Sequence, residues 1–430
     1  MRPKVFLMDL LALLAWGATA SLAAEPAAPN PAAGAANVHR RGSLDNCRVQ
    51  FEQKKQGLVA FLGGSITEME GYRPMVCEIL KRRFPETRFT FINAGISSTC
   101  STTGAFRLQS DVLDRGPVDL LFVEFAVNDD QDAHHTRRDC IRGMEGIVRR
   151  ALRHNPDMDV VMTHFVNPEI MATIRSGGTP LTIDAHEAVA GRYDISTINL
   201  AKEVTQRIAG GQLTWKQFGG VHPAPFGNAI CAGMIDRLMS EAWPAALAAD
   251  ARKKPRSMPE RLMSEAWPAA LAADARKKPH SMPEPLDTMS YSDGRFIDPK
   301  TAAIAGGARI EVPDWKHLAG SSRGRFTQLP ILVADRPGDE VSLRFSGTAI
   351  GAYVLAGPDA GVVEARIDGG EAIEVNLLHA YSAGLHYPRT VMFAADLKPG
   401  SHVLVLRVAE KTHGAGHAVR IMQFVANGEP

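Results

Sequence analysis

No surplus of charge marks this 430-residue chain: 48 basic residues stand against 47 acidic ones, a formal net charge of +1. That balance offers no broad electrostatic attraction to nucleic acid or to an acidic membrane surface. Internal apolar runs long enough to span a bilayer are missing as well. Cysteine is sparse: Cys47, Cys77, Cys100, Cys140 and Cys231 are the whole set. Their odd number and irregular spacing fit no zinc pattern and allow at most two disulfides. Two common glycine motifs are also lacking. Gly63-Gly64 is not followed by the further glycines of a dinucleotide-binding loop. Thr67 stands where a Gly-x-Ser-x-Gly nucleophile elbow needs its second glycine.

What is present begins with a leader. Met1-Arg2-Pro3-Lys4 is basic, Val5 to Ala20 is mostly apolar, and Ser21-Leu22-Ala23-Ala24 is small. That order is the layout of a secretory signal peptide and predicts a secreted or periplasmic protein, free of the membrane once cleaved. We therefore divide the chain into a signal peptide (1–24), an Ala/Pro-rich flexible leader (25–44), a first domain (45–243), a linker (244–290) and a second domain (291–430). The first domain alternates apolar strand-type runs with helical patterns. Gly57–Gly63, Arg88–Ala94, Leu120–Val127, Met158–Phe165 and Ile195–Asn199 read as strands. Tyr72–Phe84, Asp139–Arg153, Asp184–Arg192 and Ala229–Met239 read as helices. Strands apolar throughout, separated by helices, predict an α/β fold: a parallel sheet covered on both faces, in three α/β/α layers. Within the linker, Arg237–Glu260 recurs almost unchanged as Arg261–Glu284, with His280 in place of Arg256. Two copies are too few for a solenoid, so the second reads as surplus chain tolerated at a domain boundary. Beyond Tyr291, short strand-like runs separated by turns such as Asp368-Gly369-Gly370 predict an antiparallel β-sandwich.

Three residues stand where such a sheet presents chemistry. Ser65 follows the first strand, at the sheet's carboxyl edge and the start of a helix, which favours developing negative charge. Asn128 ends the third strand, where a side-chain amide can donate to an oxyanion. His222 lies in "FGGVHPAPFGN", restrained by Pro223 and Pro225. Each alone reads more simply as a turn residue or a surface histidine. Together with "NAGISSTCS" (Asn93–Ser101), their order and spacing over Val59 to Met239 resemble the SGNH (GDSL-like) hydrolase superfamily. The resemblance implies Ser65 as nucleophile, His222 as base, and Asn128 with the Ser98 N–H as oxyanion donors. It also implies an esterase that needs no metal or organic cofactor.

This chain departs from the family pattern at several points. Ser98 stands at the position of the oxyanion glycine, and Ala126 replaces a glycine of the third block. Gly219 occupies the place, three residues before the histidine, where the family carries an aspartate. Three ways of orienting His222 stay open: a backbone carbonyl, Asp129 or Asp194. The stretch "NDDQDAHH" (Asn128–His135) offers carboxylates and imidazoles to a metal. Neighbours in one loop seldom all face one ion, so solvated charges leading into a helix are the expectation. Glu68, Glu124 and Arg107 are candidates to line the cleft, or else, the simpler reading for each, ordinary surface or helix ion pairs. In the sandwich, which resembles jelly-roll domains of carbohydrate esterases, Ala356–Gly361 and Leu385–Thr390 read as exposed loops. There Tyr381 or Tyr387 is a candidate to stack on a sugar, and a domain that only braces the first one is the equal alternative. The expected substrate is a small acyl ester, an O-acetyl group on a glycan above all. The alternatives are a lipase-like esterase for longer acyl chains and a catalytically weak carbohydrate-binding protein.

Overall fold

The structure, a computed structural model, describes residues 35–243 and 275–429. The signal-peptide region and most of the tandem duplication lie outside the described residues. The first domain runs β1 (Val38–His39), α1 (Asp45–Lys54), β2 (Gln56–Gly63), α2 (Ser65–Glu68), α3 (Tyr72–Arg83), β3 (Arg88–Gly95), α4 (Ser101–Asp111), β4 (Leu120–Glu124), α5 (Arg137–His154), β5 (Asp159–Thr163), α6 (Pro168–Arg175), α7 (Leu181–Arg192), β6 (Ser196–Ile198), α8 (Leu200–Ala209), α9 (Trp215–Phe218) and α10 (Pro225–Ala242). No helix among these is long and apolar enough to cross a membrane.

The strands form one sheet in the order β1-β6-β5-β4-β2-β3, parallel except for β1, which runs antiparallel to β6. Alternate side chains of each strand enter opposite layers, as a period of two requires. Val59 and Phe61 of β2 join Leu120 and Phe122 of β4 in the layer packed by α3 and α10. Ala60, Leu62, Leu121 and Val123 join the layer packed by α4, α5 and α7. Helix starts follow local chemistry. Thr136 and Asp139 close a reciprocal cap on α5, and prolines open α6 and α10.

The second domain runs β7 (Gly294–Ile297), β8 (Ala303–Ala305), β9 (Arg309–Glu311), β10 (Ile331–Ala334), β11 (Glu340–Ser346), β12 (Ala349–Ala356), β13 (Val362–Ile367), β14 (Ile373–Asn376), β15 (Tyr387–Ala394), β16 (Ser401–Val408) and β17 (Val419–Asn427). One antiparallel sheet orders β15-β12-β17-β10-β9, with β7 beside β17; the other orders β14-β13-β16-β11-β8. Strand β12 is buried along its whole length. Ile350, Ala352, Val354 and Ala356 face the sandwich core, whereas Tyr353 and Leu355 pack into the α4–α5 layer of the first domain. An unbroken apolar strand marks a sheet covered on both sides, here by a sheet and by a neighbouring domain.

Three boundaries differ from the expectation. The first domain starts inside the supposed leader, because Val38 and His39 pair with Ile198 and Thr197, and buried Asn37 donates to Glu203 and Gln206. The third strand stops at Glu124 rather than Val127. Phe125 to Asp132 coil instead, with the Asp129 N–H on Phe125 O and the Ala133 N–H on Asn128 O, a single π-helical turn. The supposed linker is seated along residues 275–290. His280 donates its N–H to Pro156 O and sets Nε2 2.9 Å from Asp159 Oδ1, and Lys277 Nζ lies 3.3 Å from Asp119 Oδ1. Two carboxylates at the sheet's amino edge thereby gain partners. The one position that differs between the repeat copies is thus a residue in contact with the fold.

Arg142 of α5 is buried and pairs with Asp287 at 2.9 Å and with Asp396 of the sandwich. Removing a buried partner leaves charge uncompensated. Arg142→Ala should lower stability by on the order of 3 kcal/mol, read as a drop in the denaturant midpoint, whereas Asp396→Asn, at a half-exposed partner, should cost far less.

Candidate active site

Ser65 owes its position to glycines. A Cβ on Gly63 would fall 2.2 Å from Thr67 Oγ1, and one on Gly64 would fall 2.0 Å from Asn128 Oδ1. The chain therefore turns tightly from β2 into α2 with Ser65 as its first helical residue, half-buried at the sheet's carboxyl edge. His222 arrives from the loop before α10. Gly219 and Gly220 adopt φ of +105° and +85°, which glycine tolerates best. Ala224 N–H closes onto Phe218 O at 2.9 Å, and Asn228 Nδ2 donates to Pro223 O at 2.6 Å. The loop so braced sets His222 Nε2 2.8 Å from Ser65 Oγ. For the hydroxyl to donate there, Nε2 must be unprotonated and the ring proton must sit on Nδ1.

None of the three proposed orienting groups reaches that nitrogen. Among the described residues, His222 Nδ1 has no hydrogen-bond partner. Asp194 lies exposed before β6, beside Gly42. Asp129 is buried, with its oxygens engaged elsewhere: the Ser101 N–H at 2.8 Å on one and His186 Nε2 at 2.8 Å on the other. An aspartate in place of Gly219 would not fit this backbone, because its Cβ would lie 2.0 Å from Ala224 N. The arrangement is a serine–histidine pair with the imidazole's far side open to solvent.

The two oxyanion candidates approach from either side. Ser98 has φ +75°, a left-handed conformation that costs a non-glycine residue about 1–2 kcal/mol. Among the described residues its N–H has no acceptor. Asn128 opens the π-turn with its amide against Gly64. It donates Nδ2 to Asp132 and leaves Oδ1 buried without a partner. The sandwich closes this side of the site. His379 donates Nε2 to Asp132 O at 2.7 Å and stacks on Tyr387 with ring centres 4.2 Å apart. The Tyr387 hydroxyl faces Asp132 and Ser98 without closing a hydrogen bond to either. Leu385–Thr390 is therefore no exposed loop: His386 and Tyr387 are buried, and Tyr387 opens β15. Tyr381 is 49% exposed and packs its ring near His379 and Tyr387, at the rim.

The remaining polar candidates are mostly internal. Arg107 makes a helix ion pair, with Asp111 at 2.8 Å, but it is 1% exposed and also donates to Ala94 O at 2.7 Å and Gly63 O at 2.9 Å, tying the ends of β3 and β2 together. Glu124 is fully buried beneath the Ser65 turn, 3.4 Å from Thr67 Oγ1, which in turn meets Tyr72 Oη at 3.2 Å. Burial, with Asp129 nearby, pushes the Glu124 carboxyl up to about 8. Glu68 alone stays half-exposed, gripping the Ser97 N–H at 2.8 Å.

The "NDDQDAHH" stretch is not a solvated loop either. Asp129, His135 and Cys100 form one close cluster, and Asp129, Cys140 and His186 another. Burial opposes charge on Asp129, yet His135 and His186 hold its carboxyl well below the ordinary range. The cluster ties the start of α4 to the turn that carries Asn128. All five cysteines are free and buried.

Residues 61–230 match the GDSL-like lipase/acylhydrolase family. No curated protein sequence matches the chain. Among solved structures, the chain is similar to a two-domain esterase described as active on acetylated mannans, co-crystallised with mannopentaose. The TM-score is 0.70 at 20% identity, covering 93% of this chain and 98% of that one. A second structure of that esterase gives a TM-score of 0.68 at 21% identity, covering 93% and 99%. The likeness shows that both domains, and not the first alone, share a known fold.

Two outcomes follow from the site's packing. A carboxyl raised from 4.5 to about 8 keeps its proton in the folded state while the unfolded chain loses it. Its stabilising share is complete below pH 4.5 and is lost as pH rises through about 8. Glu124→Gln should therefore flatten the decline in melting temperature between those limits relative to the parent. Gly219→Asp should lower the melting temperature and leave kcat no higher, because the new side chain is strained rather than placed against His222.

Proposed function

We propose that this chain, whose residues 61–230 form a GDSL-like lipase/acylhydrolase domain, is a secreted serine esterase that removes small acyl groups, O-acetyl above all, from a glycan. The observation that carries the reading is the 2.8 Å contact between Ser65 Oγ and His222 Nε2, together with a Ser98 N–H that has no acceptor among the described residues. Ser65 attacks the ester carbonyl while His222 takes its proton. The tetrahedral oxyanion is received by the N–H groups of Ser65 and Ser98 and by the Asn128 amide. His222 then returns the proton to the leaving sugar hydroxyl. Water, activated by the same imidazole, releases acetate from the acyl-enzyme. No cofactor enters these steps.

Three features support a glycan ester over a long-chain lipid ester. His222 is exposed and Ser65 half-buried, so the pair is reachable by an acetyl group on a bulky polymer. Tyr381 presents an open ring at the rim formed by Asp132 and His379, a surface on which a pyranose can stack. The two-domain esterase of similar fold is described as active on acetylated mannans. Export is supported by the charged-then-apolar order of residues 1–24.

Acetate release from acetylated mannan and acetylated xylan, set beside turnover of 4-nitrophenyl acetate and octanoate, tests the reading. The parent protein should prefer the acetyl ester and release acetate from at least one glycan. Ser65→Ala should reduce kcat by at least a factor of about a thousand. Preference for octanoate, or acetyl turnover that survives Ser65→Ala, would overturn it.

A further inference from the structure

The peptide joining Ser97 to Ser98 carries the free N–H assigned above to the oxyanion, and one side chain of the sandwich holds that peptide from behind. Arg323 Nη1 donates to Ser97 O at 2.7 Å, and Arg323 Nη2 donates to Ser98 Oγ at 2.9 Å. In a trans peptide the carbonyl and the N–H point in opposite directions. A guanidinium fastened to the Ser97 carbonyl therefore aims the Ser98 N–H the other way. Its second arm holds the side chain of the residue whose φ is +75°. Where a glycine would adopt that backbone freely, serine does not. The Ser97 N–H is fastened to Glu68 Oε2 at 2.8 Å, and Glu68 Oε1 lies 3.1 Å from Arg325 Nη1. Arg323 is itself rooted in the second domain: Ser321 N–H donates to Gly384 O, His386 N–H donates to Ser321 O, and Phe326 is buried under Tyr353.

We propose that Arg323 is a positioning residue of the esterase reaction: a planar fork from the sandwich that holds Ser98 in its left-handed state and so sets one donor of the oxyanion hole. The second domain is then part of the catalytic unit rather than an appendage. The proposal rests on the reading of Ser65 and His222 given above. It also accounts for serine at a position where a left-handed backbone favours glycine.

The test is a two-background comparison with 4-nitrophenyl acetate. Arg323→Ala is made in the parent and in a Ser98→Gly protein, each with its melting temperature, beside Ser65→Ala. In the parent, Arg323→Ala should lower kcat by one to two orders of magnitude with little change in KM. That loss is smaller than the roughly 10²–10³-fold expected for deleting an oxyanion donor outright. In the Ser98→Gly background the same substitution should cost about threefold or less, because glycine needs no clamp to hold φ above zero. Arg323→Lys, a point donor without the fork, should recover only part of the parent activity, and it carries the same comparison if the alanine variant does not fold. An equal loss in both backgrounds, a loss confined to KM, or no loss would each overturn the proposal while Ser65→Ala stays inactive. Turnover that survives in Ser65→Ala would instead overturn the reading beneath it.

Discussion

The site rests on how closely three backbone segments approach one another at the carboxyl edge of the sheet. Gly63, Gly64 and Gly95 have no room for a Cβ: each would strike Thr67 Oγ1, Asn128 Oδ1 or Glu68 N at 2.2, 2.0 and 2.3 Å respectively. Sheet order makes that crowding unavoidable. Strand β2 lies between β3 and β4, so the loops leaving both neighbours converge on the turn after β2. Such a reversal of strand order is where an open parallel sheet leaves a crevice. The Gly63-Gly64-Ser65 turn is therefore more than a way to end a strand. Gly64 lets the Asn128 turn close in on this segment, Gly95 lets the end of β3 lie against Glu68, and any larger residue would push them apart.

Much of the architecture is legible in local pattern because its causes are local. Strand β2 reads as apolar throughout because both of its faces are covered, and the structure puts Val59 and Phe61 in one layer and Ala60 and Leu62 in the other. The turns of the sandwich, with Asp368 and Gly369 both at positive φ, are written in the residue types that tolerate it. Ser65 and His222, 157 positions apart, stand out only through the order of several motifs, and they lie 2.8 Å apart.

What pattern cannot deliver depends on long-range partners. The Asn128 segment reads as the end of a strand because Phe125, Ala126 and Val127 are apolar; it coils because its N–H groups find acceptors one turn back. Glu124 and Arg107 read as cleft-lining charges or as surface or helix ion pairs, and exposure is the commonest fate of their types. They are internal because Thr67 and the carbonyls of Gly63 and Ala94 accept their burial. The seating of His280 on Asp159 and the grip of Arg323 on Ser97 cross 121 and 226 positions respectively, distances over which one sequence holds no pairing signal.

In the mechanism proposed above, a pair without a third member raises the question of what would stabilise the imidazolium when Ser65 gives up its proton. In a buried triad the carboxylate holds the ring's tautomer and offsets its positive charge, and losing it can cost on the order of 10⁴ in rate. That figure belongs to a triad whose orienting carboxylate is buried. His222 is exposed, so solvent can accept from Nδ1–H and can screen the charge as it forms. Orientation, the carboxylate's other task, falls here to the loop itself, through Asn228 on Pro223 and the Ala224 closure on Phe218. A reaction run by such a pair depends more heavily on its oxyanion donors than a full triad would. On that proposal, the hydrogen bonds of Arg323 to Ser97 and Ser98 and of Asn128 to Asp132 mark where this fold would have to concentrate its transition-state stabilisation.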